Sequence, residues 1–132
     1  MFELTKRQEL LCTISDLHKD ARGFRPSLDQ YEGYSEAQLG AVIQWLAVEV
    51  KEEIEREQQI DALCITRFND EVAIFIQQGA ANRSTAIRWM LQAQGYDETP
   101  ADADFICYNN GINPFIPEGK AIFEEVEAAI IS

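Results

Sequence analysis

The sequence predicts an all-α protein of about five helices, dominated by one very long central helix over residues 35–78. Three observations carry that prediction. Thr5 with Gln8 and Ser35 with Gln38 are capping boxes, in which each side chain satisfies the other residue's free backbone N–H. Apolar residues recur three and four apart along most of the chain, and no convincing strand pattern competes. From Ala41 to Gln78 there is neither glycine nor proline, so nothing interrupts a helix before Gly79.

The first helix starts at Thr5, gathers Leu10, Ile14, Leu17 and Ala21 on one face, and stops at Gly23 and Pro26. At about 100° per residue, His18 and Arg22 share one flank of that face. Asp16 and Asp20 fall toward the other flank, and Lys19 points away from the core. Residues 27–34 then form an aromatic loop carrying Tyr31 and Tyr34.

On the long helix, Leu39, Val42, Ile43, Leu46, Val50 and Ile54 make a stripe. Ile60, Cys64, Phe68, Val72 and Phe75 resume it in nearly the same phase. Between them, Lys51–Gln59 holds one apolar residue in nine. Unbroken, such a helix runs about 65 Å, longer than a domain of this size is wide. A span so polar is either solvent-exposed or paired with a second copy of itself. The expectation is therefore an elongated homodimer joined through this helix. The rival is a break near Gln58–Asp61 that folds the halves into a hairpin, and phase continuity favours the unbroken form.

Gly79 closes the long helix, and Asn82 caps a third that runs to Gln94 and stops at Gly95. Ala86, Ile87, Trp89, Met90, Leu91 and Ala93 make it apolar over most of its circumference, which predicts core. Thr99, Pro100 and Asp102 read as cap, N1 proline and an acid near the positive dipole end of a fourth helix. That helix reaches Asn109 or Asn110, and the loop Gly111–Pro117 is apolar enough to pack. A fifth helix carries Ile122, Phe123, Val126, Ile130 and Ile131. With no repeat, linker or low-complexity segment, residues 1–132 read as a single helical domain.

Charge is unevenly placed. Residues 1–25 hold five of the eleven Lys/Arg and the only histidine against four acids; the rest of the chain sets six bases against nineteen acids. A net charge of −12 discourages contact with nucleic acid or anionic lipid and suits docking on a basic surface. No apolar run approaches membrane-spanning length and the N-terminus is no signal peptide, which predicts an intracellular protein with no membrane partner. Cys12, Cys64 and Cys107 are an odd count without CxxC spacing, so buried reduced thiols are expected. A zinc site using His18 with these cysteines lacks ligand spacing, and no cofactor is implied.

The basic island Asp16-Leu-His-Lys-Asp-Ala-Arg-Gly-Phe-Arg-Pro26 is the leading candidate contact surface. His18, Lys19, Arg22 and Arg25 supply charge for a phosphate or a partner's carboxylate. Phe24, Tyr31 and Tyr34 supply apolar anchors. The competing view is architectural: Asp16 or Asp20 pairs with nearby bases, and Arg25 reaches an acid on the long helix. No nucleophile pattern accompanies His18, so the expected activity is non-enzymatic. One alternative is an Mg²⁺-dependent nucleotide hydrolase using Glu49, Glu53 and Glu57, whose spacing aligns them on the long helix. It needs acids from a second helix, with Asp97, Asp102 and Asp104 as the donors on offer. Another is a nucleic-acid binder in which Arg83, Ser84, Thr85 and Arg88 face a groove, a reading that the acidic balance opposes.

The motif at 16–26, preceded by Arg7-Gln-Glu9, resembles a set of small acidic proteins encoded by tailed bacteriophages. The resemblance continues in the Glu-rich long helix, in Gly79-Ala80 with Arg83-x-Thr-Ala-x-Arg-Trp89, and in Cys107-Tyr108. It implies expression in the cytoplasm of an infected bacterium and supplies no catalytic residue. By analogy with small acidic phage proteins as a class, it suggests binding of a host protein, in some cases by mimicking DNA charge.

Overall fold

The computed structural model describes residues 3–131. Among them are five α-helices and no strand: α1 (Lys6–Arg22), α2 (Glu36–Gln77), α3 (Arg83–Ala93), α4 (Ala103–Asn109) and α5 (Pro117–Ile131), with a 3₁₀ turn at Leu28–Tyr31. The all-α fold with one dominant helix is as expected. The 42 residues of α2 form one helix, with no break at Gln58–Asp61. The chain divides into two compact units, the first ending at Glu57 and the second beginning at Gln58. That boundary falls inside the polar span 51–59, where the apolar stripe lapses. Ile54 and Ile60, expected to extend the stripe on either side, are about half exposed.

In the first unit, the Thr5 box closes as expected. Its hydroxyl accepts from the Gln8 N–H, and the Gln8 side chain accepts from the Thr5 N–H. Ser35 and Gln38 do the same before α2. Gly23 ends α1 in the left-handed region at φ 86°, and its N–H donates to the Lys19 carbonyl. A side chain there would be strained, which is why α1 stops at a glycine. Contacts between Arg7 and Tyr34 and between Arg22 and Glu49 share one sequence offset, 27 residues. A constant offset means that α1 and the first half of α2 run parallel, and residues 23–35 are the return path. Ile14, Tyr31, Leu39 and Leu46 form the core between them, with Leu10, Leu17, Val42 and Ile43 packed on it.

The second unit has the larger core, fourteen buried residues against four among those described. Phe68 and Val72 of α2, Ala86, Ile87, Met90 and Leu91 of α3, Ile106 and Cys107 of α4, and Ile122, Val126 and Ala129 of α5 all contribute. The α5 helix packs on both α3 and α4. Several expectations are corrected here. Trp89 is 37% exposed, because the buried residues of α3 at 86, 87, 90 and 91 define an arc that position 89 leaves. Ile130 and Ile131 are exposed for the same reason: 122, 126 and 129 are the inward positions of α5. Asp102, not Thr99, caps α4, accepting from the Phe105 N–H at 2.9 Å, while the Thr99 N–H closes a turn onto Gly95. The loop before α5 packs through Ile112, yet Phe115 is 93% exposed. Of the thiols only Cys107 is fully buried; Cys64 is half-buried, and Cys12 is exposed on the side of α1 opposite Ile14.

Gly119, in the first turn of α5, sits against the preceding loop. A Cβ there would lie 1.7 Å from the Asn113 carbonyl oxygen, so backbone of the loop or of the helix would have to shift. Gly119→Ala is therefore expected to destabilise the second unit by about 1–3 kcal/mol, although alanine favours helix. Urea unfolding followed by circular dichroism measures it; an unchanged midpoint would contradict the close approach.

Candidate functional site

The basic island lies at the C-terminal end of α1 and in the turn that follows. Most of its cations are engaged within the first unit. Arg22 meets Glu49 of α2 in a two-pronged contact, Nε to Oε2 and Nη2 to Oε1, both at 3.0 Å. Arg25 turns back along α1 to Asp16 at 2.6 Å and the Ser15 hydroxyl at 3.0 Å. The architectural view anticipated a pair with Asp16 but sent Arg25 to the long helix; Arg22 is the residue that reaches it. The Arg25 pair is exposed on both sides and contributes about 0–1 kcal/mol.

His18 is 4% exposed. Its Nδ1 lies 2.7 Å from the Phe24 carbonyl, and a carbonyl only accepts, so Nδ1 carries the hydrogen. Nε2 then accepts from Arg22 Nη1 at 3.4 Å. The imidazole also meets the Phe24 ring edge to face at 4.8 Å. Together these contacts fix the turn from both ends, while the Phe24 side chain stays 61% exposed. Lys19 is exposed as well. Tyr31 is 8% exposed and belongs to the core, with Tyr34 stacked edge to face on it at 5.3 Å and 39% exposed. Of the seven residues named from the sequence, His18 and Tyr31 thus support the surface from inside.

Arg7 is the residue whose part the sequence did not reveal. Its guanidinium donates to the carbonyls of Tyr31 at 2.8 Å, Glu32 at 3.0 Å and Tyr34. Those acceptors end the 3₁₀ turn and precede α2, so one side chain ties the start of α1 to the start of α2. Backbone carbonyls leave no mark in a sequence, and nothing local pairs Arg7 with residues 24–27 positions away.

The guanidinium of Arg22 holds the Glu49 carboxyl below the usual glutamate range, mainly through their hydrogen bonds and then through charge. Glu49 in turn raises the Arg22 pKa. Glu53 pairs with Arg56 on the same helix. The Glu49–Glu53–Glu57 face thus has two of its three acids in ion pairs, and no three His, Cys, Asp or Glu among the described residues group closely enough to hold a metal. In the helix proposed to face a groove, Arg83 binds Glu125 of α5 and Asn69 of α2, which fixes it inside the second unit. Cys107 is pushed up to about 11 by burial, with a smaller effect from Asp104, and is a poor nucleophile near neutrality. No helix of the described residues is long and apolar enough to cross a membrane.

Comparison of the chain with protein-family models, curated proteins and solved structures finds no match.

A carboxylate with a depressed pKa stabilises the fold above the unfolded glutamate value, about 4.3, and that stabilisation is lost as pH falls through the folded value. Wild type is therefore expected to lose stability between about pH 5 and pH 3 more steeply than Glu49→Gln. Urea midpoints across that range measure the difference; parallel curves would show that the Arg22–Glu49 contact does not form in solution.

Proposed function

We propose that this chain is a non-enzymatic interaction protein of a tailed bacteriophage, acting in the bacterial cytoplasm on a host protein. One observation carries the reading: Phe24, a large aromatic side chain, is held in the open on an ordered turn. Its carbonyl is bonded to a buried histidine, its ring rests against that histidine, and ion pairs at Arg22 and Arg25 bracket it. An exposed aromatic fixed before binding loses little entropy when a partner covers it, and such residues dominate interface energetics. Exposed Lys19 and Tyr34 add to the same unit's contact surface. The phage assignment rests on the resemblance of the 16–26 motif, and the choice of a host protein on the acidic balance of the chain.

Self-association is the second reading, and a specific face favours it. Ala37, Ala41, Trp45 and Val48 recur at intervals of four, four and three on the side of α2 away from Leu39 and Leu46. Trp45 is 65% and Val48 55% exposed. Such a strip fits a homodimer through α2. Sedimentation of wild type as a dimer and of Trp45→Glu as a monomer is the expected result; a monomeric wild type would overturn it.

The host-partner reading is tested by affinity capture from bacterial lysate with wild type and Phe24→Ser. Charge reversal at Arg22 or Arg25 is the poorer probe, because it breaks contacts inside the fold. A stoichiometric protein held by wild type and lost with a normally folded Phe24→Ser is the expected outcome. Equal retention would move the contact off the motif, and no partner at all would contradict the reading.

A further inference from the structure

The second unit carries an aromatic cleft that the motif surface does not account for. It is open, about 670 Å³, with Tyr96, Pro100, Ala101 and Phe105 as the apolar part of its lining and Glu98 and Asp102 as its acids. The rings of Tyr96 and Phe105 meet edge to face with centroids 6.5 Å apart. The Tyr96 hydroxyl accepts from the Asn109 side chain at 2.9 Å, which anchors the ring to α4. Phe105 remains 53% exposed, and Tyr108, one turn further along α4, is 82% exposed. The Tyr96 and Phe105 rings are held against each other, and Phe105 stays open to solvent on its other side.

Charge decides what fits. Between Arg88 and Lys120 the chain has no lysine or arginine, while Asp97, Glu98, Asp102, Asp104 and Glu118 are all acids. Asp102 uses one oxygen to cap α4, and no ion pair is formed by Glu98 or Asp97 among the described residues. Aromatic ring faces attract cations, and most strongly a guanidinium, whose planar fork also matches a carboxylate. Among the described residues, no lysine or arginine lines the cleft itself; Arg88 stands beside it, lining the adjoining pocket with Tyr96, Pro100 and Ala101. The acids in the lining disfavour nucleic acid and acidic peptides.

We propose that this cleft is a docking site for a basic peptide segment of a partner protein, taking an arginine side chain against Phe105 and Tyr96 with Glu98 as its counter-charge. The cleft lies wholly in the second unit and is independent of the Phe24 surface in the first. A defined peptide reads the cleft alone, so loss of either assignment leaves the other standing.

The test is fluorescence anisotropy with a fluorescein-labelled Arg-Gly-Ser repeat peptide at physiological ionic strength, beside the same peptide with citrulline for arginine. Saturable binding of the arginine peptide only is expected. Phe105→Leu, which keeps apolar bulk but removes the ring face, and Glu98→Gln should each weaken it about tenfold. Glu52→Gln and Glu55→Gln make the same charge change on exposed positions of α2 and should leave it within about twofold. Circular dichroism confirms that each variant is folded, and Glu98→Gln carries the test if Phe105→Leu is not. Equal weakening by the α2 variants would mean diffuse attraction to an acidic protein and would overturn the proposal. So would equal binding of the citrulline peptide, or none of either.

Discussion

Both cores draw on α2, whose 42 residues form one helix, and that shared helix is the constraint on the chain's middle. Its N-terminal half lends Leu39 and Leu46 to one core, and its C-terminal half lends Phe68 and Val72 to another. The residues between, Lys51–Gln59, have almost no apolar surface to bury. Helical backbone there rests on local terms: good helix formers, no glycine or proline, and the Glu53–Arg56 pair. Those terms are small singly, so helix at 51–59 depends on being continued in register from both packed halves.

The first unit also shows how a small core is made definite by polar contacts. Four buried residues at about 1.5–3 kcal/mol each leave little margin once backbone entropy is counted. Arg7 and Arg22 each span from α1 to the α2 side of the unit and set the parallel register at its two ends. His18 closes the turn by donating to Phe24 and accepting from Arg22. The basic island in an acidic chain is thus largely an internal fastening, and its outward expression is the Phe24 ring and Lys19. That division of labour explains why a cluster of cations coexists with a strongly acidic surface.

Local features were legible in the sequence because their physics is local. The capping boxes at Thr5 and Ser35, the cap at Asn82, and the stops at Gly23 and Gly79 all involve residues within a few positions of one another. The long helix was legible from the absence of breakers. Exposure of Trp89 and Ile131 was not, because an apolar residue off the buried arc looks the same in sequence as one on it. The cap of α4 was misplaced at Thr99, since both Thr99 and Asp102 carry capping side chains and only the turn onto Gly95 separates them. The candidate surface was half legible. Composition pointed to 16–26, whereas the burial of His18 and Tyr31, the Arg22–Glu49 contact and the part of Arg7 depend on contacts up to 27 residues apart. The aromatic cleft left a compositional trace, 31 residues without a base, that becomes informative only when Tyr96 and Phe105 meet.

The measurement that bears most directly on this account is backbone NMR of the full chain, combining Cα chemical shifts with amide hydrogen exchange. Helical shifts without interruption from Glu36 to Gln77, and exchange across 51–59 slower than in an unstructured peptide, are the predicted result. Random-coil shifts and unprotected amides at Gln58–Asp61 would contradict it, since the two cores would then hang on separate helices.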